Sequence, residues 1–280
     1  MTQIANPLRQ YFRQPAIYLR LPSGGKHWAA GSLNMPTNGE LPVYPMTAID
    51  EITYRTPDAL FNGQAVISVI QSCIPDIKNA WEAPMPDVNA ILTAIRIASY
   101  GHDLEVGSIC PNCNAQAEYT LDLRSVLDQL KCPNFVDPLN SGDLVITFQP
   151  TTYETQNETN QEQFEEQKIM QMLPASDLPE KEKLARMQQV LIKITELTVR
   201  ALKWSIQSIR TPHAIVSEPE FIEDFLRNCD RTLFNTIRDH VINLRLSSEI
   251  KPLAVRCGEC EHEYEQPMTL DMTSFFAPAS

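Results

Sequence analysis

The chain has 280 residues, of which 35 are acidic and 23 are basic, so its formal net charge is −12. This length allows one large domain or two modest ones, which can bury about 75% of the unfolded surface without a stabilising cross-link. No apolar run approaches the roughly 20 residues that span a bilayer, and the N-terminus lacks the basic-then-apolar order of a signal peptide. Because a net charge of −12 repels nucleic-acid phosphates, the composition predicts protein partners, no nucleic acid and no membrane.

Residues 1–56 contain many helix breakers and are predicted to form an extended, proline-rich arm with short strands. Residues 16–21 have the composition of a strand that ends in a turn at 22–25, and residues 41–46 can pair with it in an antiparallel hairpin. Four aromatic residues of this arm either pack on their own domain or dock on another subunit: Tyr11, Phe12, Tyr18 and Trp28.

Residues 57–150 are predicted to form a helical core that carries a first cysteine loop. Apolar spacing and helix breakers predict three helices before that loop, over residues 57–60, 65–73 and 86–100. Pro57 and Pro86 suit the first turn of a helix, and Gly101 suits the C-cap of the third. A short helix over residues 124–130 and an alternating strand over residues 143–149 are predicted after the loop.

Residues 151–250 are predicted to form a helical hairpin preceded by an acidic linker. The linker, residues 154–171, is either a solvated helix or a mobile loop. The longest helical pattern covers residues 177–207, with Ser176 or Asp177 as its cap, and a second covers residues 217–247, with Ser217 as its cap. The apolar stripes of both helices belong either to a core or to a surface that a partner covers. No heptad repeat persists long enough to predict a coiled coil.

The feature that organises the chain is a pair of CxxC loops, formed by Cys110 and Cys113 and by Cys257 and Cys260. Two cysteines on one tight turn can direct both thiolates inward, and two such turns supply the ligands of a closed tetrahedral Zn²⁺ site. A closed site has no open coordination position, so it stabilises a fold and does not catalyse a reaction. We therefore predict an α+β fold, with a mainly helical body, short antiparallel strands and a zinc-ribbon-like site. Residues 251–280 form the second knuckle and pack back on residues 105–123.

Other chemistry is compatible with the same cysteines. Four thiolates also bind iron, and a CxxC pair can act in redox chemistry or form disulfides. His262 lies two residues after Cys260 and can hydrogen-bond a thiolate or replace a ligand. The remaining cysteines, Cys73, Cys132 and Cys229, are interpreted as buried thiols. An odd total of seven cysteines favours a reducing compartment.

The sequence contains no pattern of a known catalytic site. Nucleotide-binding loops, dinucleotide fingerprints, zinc-protease motifs and serine-hydrolase elbows are all missing from it. The five histidines are scattered along the chain, and no carboxylate stands apart as a general acid or base. We therefore predict that the protein is not an enzyme.

A series of short motifs between residues 20 and 123 resembles a known family. In chain order they are Leu-Pro-Ser-Gly-Gly at 21–25, Gly-Glu-Leu-Pro-Val-Tyr-Pro-Met-Thr at 39–47, Asp-Glu at 50–51, Thr-Pro at 56–57, Asn-Gly at 62–63, Ser-Cys at 72–73, Ala-Ile-Arg at 94–96, Tyr-Gly at 100–101 and Cys-Pro-x-Cys at 110–113. This collinear order resembles the T-even-type baseplate hub proteins of contractile-tailed phages, a family that includes baseplate hub assembly chaperones. The second CxxC loop is consistent with the resemblance, whereas residues 150–250 have no match in it.

The resemblance implies a non-enzymatic structural component or assembly factor of the baseplate hub. Its implied partners are other baseplate and hub proteins, and its implied location is the tail baseplate of the virion, after assembly in the host cytoplasm. Two functions of other classes remain as alternatives. One is a zinc-ribbon nucleic-acid-binding protein, which requires a basic face, and the other is a peptidoglycan-acting or redox enzyme carried on the tail.

Overall fold

The computed structural model describes residues 6–56, 62–173, 179–249 and 251–266. Three predicted features lie outside these residues: the short helix at 57–60, the helix cap at Ser176 or Asp177, and the end of the second knuckle at 270–276. The described residues form eight α-helices and ten strands, and every strand pair is antiparallel. The predicted α+β class, with a mainly helical body and short antiparallel strands, is confirmed.

The elements follow one another in short alternating groups. The helices are α1 (Ala48–Tyr54), α2 (Gln64–Cys73), α3 (Met85–Tyr100), α4 (Leu123–Gln129), α5 (Tyr153–Met172), α6 (Glu180–Ser205), α7 (Pro219–Asn228) and α8 (Arg231–Ser248). The strands are β1 (Ile17–Leu19), β2 (Leu41–Val43), β3 (Asp103–Ile109), β4 (Gln116–Asp122), β5 (Leu139–Ser141), β6 (Leu144–Phe148), β7 (Ile206–Arg210), β8 (Ile215–Val216), β9 (Leu253–Arg256) and β10 (Glu263–Gln266). Strands β1–β2, β3–β4 and β9–β10 form three hairpins, and β5 to β8 form one sheet in chain order. None of the helices in the described ranges combines the length and the apolar character of a membrane span.

The first hydrophobic core surrounds α3 and includes the hairpin of the N-terminal region. Ile91 and Ile95 of α3 are fully buried, and Leu19 of β1 and Leu41 of β2 pack in the same cluster. Because successive side chains of a strand point to opposite faces, β1 buries Leu19 and leaves Tyr18 exposed. The antiparallel pair predicted from residues 16–21 and 41–46 is present as β1 and β2, and the helices bury its apolar face. The boundaries of the four predicted segments stay a prediction.

Arg13 fastens the segment before β1 to α1 and α2. Its guanidinium donates hydrogen bonds to the carbonyl oxygen of Pro45 at 2.6 Å and to that of Ser72 at 2.7 Å. It also lies 3.3 Å from a carboxylate oxygen of Asp50, whose side chain is 11% exposed. The same carboxylate accepts a hydrogen bond from the backbone N–H of Thr47 and completes the capping box of α1. The planar guanidinium, with five donors in fixed directions, suits a site where several acceptors converge.

The second core lies between the four-stranded sheet and helices α6, α7 and α8. Its centre contains Ile146 and Phe148 of β6, Ile206 of β7, Ile222 of α7 and Ile237 of α8, all of which are buried. The strand predicted over residues 143–149 is thus an inner strand of this sheet, between β5 and β7. Its β-branched residues suit a position that is covered on one face by helices.

The helix predicted over residues 177–207 is wrong at its C-terminal end. Helix α6 ends at Ser205, and the chain enters β7 at Ile206. Ile206 and Ile209 are three residues apart, which fits a helix, but they pair across the sheet with Phe148 and Ile146 of β6. A pairing partner nearly 60 residues earlier decides the conformation here, so the local pattern is overridden.

The helix predicted over residues 217–247 is two helices, α7 and α8. The chain breaks at Cys229 and Asp230, and the Asp230 carboxylate accepts the backbone N–H groups of Thr232 and Leu233 at 2.9 and 3.1 Å. An aspartate in this position satisfies donors that the first turn leaves free, so it begins a new helix. The residue that precedes α7 is Glu218 and not the predicted Ser217.

Helix α5 is the solvated helix that the acidic linker predicts. None of its side chains is buried, although it packs along α6. Glu162 of α5 forms ion pairs with Lys193 and Arg200 of α6. Helix α6 also packs against α7 and α8, and the predicted hairpin of residues 177–207 and 217–247 stays a prediction.

We expect Arg13→Ala to lower the free energy of unfolding by about 2 to 3 kcal/mol, because the converging acceptors lose their donors and Asp50 loses its counter-charge. Chemical denaturation followed by circular dichroism measures this change. Arg20→Ala is the matched control: its ion pair with Glu40 is 2.9 Å long but its side chain is 77% exposed, so the expected loss is below about 0.5 kcal/mol. Equal losses in the two variants would contradict the role of Arg13.

Candidate metal centre

Each CxxC loop connects the two strands of a β-hairpin. In the first hairpin, β3 leads into Cys110 and β4 leaves the loop, and in the second, β9 leads into Cys257 and β10 leaves it. The backbone N–H of Cys110 donates to the carbonyl of Ala115 at 2.9 Å, and that of Cys257 donates to the carbonyl of His262 at 2.9 Å. The two loops are therefore closed by equivalent hydrogen bonds.

The residue after each second cysteine has a left-handed backbone. Asn114 has φ 59° and Glu261 has φ 57°, and each donates its backbone N–H to the carbonyl of the first cysteine, at 2.9 Å to Cys110 and at 3.0 Å to Cys257. Asparagine adopts this conformation readily, whereas a glutamate does so only where surrounding structure enforces it. The sequence therefore folds twice into one β-knuckle.

The two knuckles meet and bring four sulfur atoms together. The Sγ atoms of Cys110, Cys113, Cys257 and Cys260 all lie within 4.8 Å of one another. Sγ of Cys110 lies 3.7 Å from that of Cys260, and Sγ of Cys113 lies 3.6 Å from that of Cys257. Each of these pairs joins the first cysteine of one knuckle to the second cysteine of the other, so the arrangement has an approximate two-fold symmetry.

These separations fit a tetrahedral metal site better than disulfides. Metal–sulfur bonds of about 2.3 Å place the sulfurs of a regular tetrahedron about 3.8 Å apart, whereas a disulfide bond is about 2.05 Å long. All seven cysteines of the chain are free thiols in the structure. The four sulfurs can therefore hold one metal ion, and which ion binds stays a prediction.

Polar contacts beside the sulfurs join the two hairpins. The hydroxyl of Ser108, on β3, lies 2.8 Å from the hydroxyl of Tyr264 and donates to Oε1 of Gln266 at 2.6 Å, both on β10. The hydroxyl of Tyr119, on β4, donates to the carbonyl of Arg256 on β9 at 3.2 Å. Ser108 is 5% exposed, so this contact is shielded from water. Sequence reasoning missed these residues, because a serine or tyrosine in an alternating strand carries no sign of its partner.

The pKa values of Cys260 and Cys113 are shifted in opposite directions. The amide of Asn112 donates to the sulfur of Cys260 at 3.5 Å and is the main cause that lowers the pKa of Cys260 to about 6. The backbone N–H of Ala115 lowers the pKa of Cys113, but hydrogen bonding to Cys260 and desolvation outweigh it and raise that pKa to about 12. A bound cation favours the deprotonated form of the thiols that coordinate it.

The four-cysteine cluster lies at the surface of the protein and is only partly buried. Cys110 and Cys257 are buried, Cys260 is half-buried and Cys113 is exposed. His262 does not join the sulfurs: among the described residues the cluster contains four cysteines and no histidine. The His262 ring stacks on Tyr264, with centroids 6.2 Å apart. Its predicted role as a replacement ligand therefore has no support in the geometry.

The other three cysteines lie apart from this cluster. Cys73 is fully buried in the first core, and burial is the main cause that raises its pKa to about 12. Cys132 and Cys229 are only half-buried, so the interpretation as buried thiols is correct for Cys73 and wrong for these two. Both occupy segments beside helix ends, where neighbouring elements cover one side of the chain.

Comparison with known proteins identifies one family. A family model described as T4 bacteriophage base plate protein matches residues 32–277. The match contains all four clustered cysteines, and it extends through residues 150–250, for which the sequence motifs had no counterpart. No curated protein and no solved structure matches the chain.

We expect Cys110→Ser and Cys257→Ser to lose bound metal equally, because the two residues are equivalent in the two knuckles. Elemental mass spectrometry of purified protein measures this, and the intact chain should contain about one metal ion. Cys229→Ser is the matched control, since Cys229 lies outside the cluster and its substitution should leave the metal content unchanged. Metal retained in either knuckle variant, or absent from the intact reduced chain, would contradict the site.

Proposed function

This chain belongs to the family of T4 bacteriophage base plate proteins, and from that membership we propose that it is a non-enzymatic structural component or assembly factor of the baseplate hub of a contractile phage tail. The observation that carries the proposal is the family match over residues 32–277, which spans the second hydrophobic core, both CxxC loops and most of the first core. The partners of the protein are other baseplate and hub proteins. As a structural component it is located in the tail baseplate of the virion, and as an assembly factor it acts in the host cytoplasm during assembly.

We propose Zn²⁺ as the ion of the cysteine cluster. Zinc accepts four thiolates in a tetrahedron and has no redox chemistry, which suits a site that joins two hairpins. The four sulfurs fill every position of such a site, so no position remains for a substrate. Zinc in the intact protein supports this proposal. Iron in the intact protein would instead favour electron transfer.

A role in assembly requires surfaces that contact partner proteins. The segment before β1 offers one such surface. Its 3-10 helix, Pro7–Tyr11, has no buried residue, and Leu8, Tyr11 and Phe12 are 60%, 77% and 55% exposed. Arg13 follows Phe12 directly, and its hydrogen bonds hold it against α1 and α2. The C-terminal end of this apolar segment is therefore fixed in position. Large aromatic side chains on a short, anchored segment are typical of contacts between subunits.

The experiment that tests the proposed function is mass spectrometry of purified virions and of isolated baseplates, combined with disruption of the gene. A structural component is present in both preparations at a fixed ratio to other baseplate proteins. An assembly factor is absent from mature virions, but its loss prevents baseplate formation. Normal, infectious tails in its absence would contradict both forms of the proposal.

We expect the double substitution Tyr11→Ser and Phe12→Ser to reduce recovery of the protein with assembled baseplates by about tenfold or more, because two large apolar contacts are lost. Quantitative immunoblotting of purified baseplates measures the recovery. Stability should stay unchanged, since neither side chain belongs to a core. Tyr18→Ser, on the exposed face of β1, is the matched control for the loss of a surface aromatic residue. Wild-type recovery of the double variant would contradict a contact at this segment.

A further inference from the structure

Three helices enclose an open groove of about 750 Å³ between the two cores. Helix α6 forms its floor, and α5 and α8 form its walls. One end is closed by Met85 and Pro86, at the start of α3, and by Phe135. The α6 residues that line the groove all belong to the C-terminal half of that helix.

The groove runs parallel to the helices that enclose it. On α5 it is lined by Gln156, Asn160 and Gln163, and on α6 by Ile194, Thr198 and Ala201. On α8 it is lined by Arg238, Ile242 and Arg245. Each set recurs every three or four residues, so each helix presents one continuous face to the groove. A long trough between helix faces has the shape that another helix fills by ridges-into-grooves packing.

The floor continues beyond the walls as an exposed apolar stripe. Leu184, Met187 and Leu191 precede Ile194 at the same spacing of three and four residues, so they lie on the same face of α6. They are 61%, 44% and 52% exposed. Of the two alternatives that the sequence left open for this stripe, a core or a surface that a partner covers, these three residues fit the second. From Leu184 to Ala201 the face measures about 27 Å, the length of an 18-residue helix.

The charge of the groove differs from that of the chain. Its charged lining residues are Arg238, Arg245 and Glu249, in a chain whose net charge is −12. Both arginines remain partly open to solvent, with side chains 41% and 69% exposed, and form only surface ion pairs. The α5 wall presents amides where the rest of that helix presents carboxylates. Arg238 pairs with Asp239 at 2.8 Å and Arg245 with Glu249 at 3.6 Å, and because both pairs are exposed, an acidic flank of a ligand can compete for these arginines.

We propose that this groove binds an amphipathic α-helix of another baseplate protein, with apolar residues every three or four positions and with acidic flanks. The inference rests on the proposed baseplate role and adds the site and the kind of partner. The helix lays its apolar face on the α6 stripe from Leu184 to Ala201 and its acidic flank beside Arg238 and Arg245. Together with α5, α6 and α8 it completes a four-helix arrangement.

A second copy of the chain fits the groove less well. Its acidic helix, α5, has no buried residue and no continuous apolar stripe. The first turn of its α6 alternates Glu180, Lys181, Glu182 and Lys183, so that helix lacks the acidic flank that Arg238 and Arg245 would attract.

The test uses p-benzoylphenylalanine as a photo-crosslinking probe in the full-length protein, expressed during infection by the phage that encodes it. The probe replaces Leu191 in one variant and Ile192 in the matched control. Both residues are exposed, at 52% and 61%, but their side chains point about 100° apart around the helix, and Ile192 lies outside the stripe. A third variant carries the probe in place of Tyr11.

We expect the probe at position 191 to crosslink to one helical segment of another baseplate protein, with the apolar spacing and acidic flanks described above, and the probe at 192 not to reach it. Leu191→Glu should also lower recovery with baseplates by about tenfold or more, and Ile192→Glu should leave it unchanged. Crosslinks from 191 only to a second copy, to a segment without that pattern, or to nothing would overturn the inference. If position 11 still crosslinks to baseplate proteins, the baseplate role survives; if neither position does, the proposed function fails as well.

Discussion

The structure depends on the meeting of two β-hairpins that lie about 150 positions apart in the chain, as the contact between Cys110 and Cys260 shows. Closing a loop of this length costs only slightly more entropy than closing a short one, because the cost grows with the logarithm of length. The second core lies entirely inside that loop, between the first knuckle and the second. Joining the knuckles therefore returns the C-terminal hairpin to the neighbourhood of the first core.

This arrangement separates stability from recognition. The two cores and the knuckles bury the apolar residues that hold the fold together, so the remaining apolar residues at the surface are free to contact other proteins. Two groups of them are the segment that Arg13 anchors and the outer face of α6, and others are scattered over further elements, such as Tyr18 on β1 and Phe221 on α7. Each of the two groups rests on a rigid element, which reduces the entropy that binding must overcome. Such a frame suits a baseplate protein, whose role is to hold neighbours in fixed positions.

Sequence reasoning succeeded where a pattern has a local physical cause and failed where the cause is distant. The CxxC spacing, the stripes of α2 and α3 and the solvated α5 all follow from residues within one or two turns. Strand β7 could not be predicted, because Ile206 and Ile209 fit a helix until β6 pairs with them. The same holds for Ser108, whose partners Tyr264 and Gln266 lie on the other knuckle. The stripe of α6 shows a further limit, since spacing reveals a face but not what covers it.

The most direct test of the central claim is hydrogen–deuterium exchange of the full-length protein before and after metal removal by a chelator. If one ion joins both knuckles, the backbone amides of β3–β4 and β9–β10 lose protection together, while those at the centre of α3, in the first core, keep theirs. Loss of protection in only one hairpin, or no change in either, would contradict a single shared site.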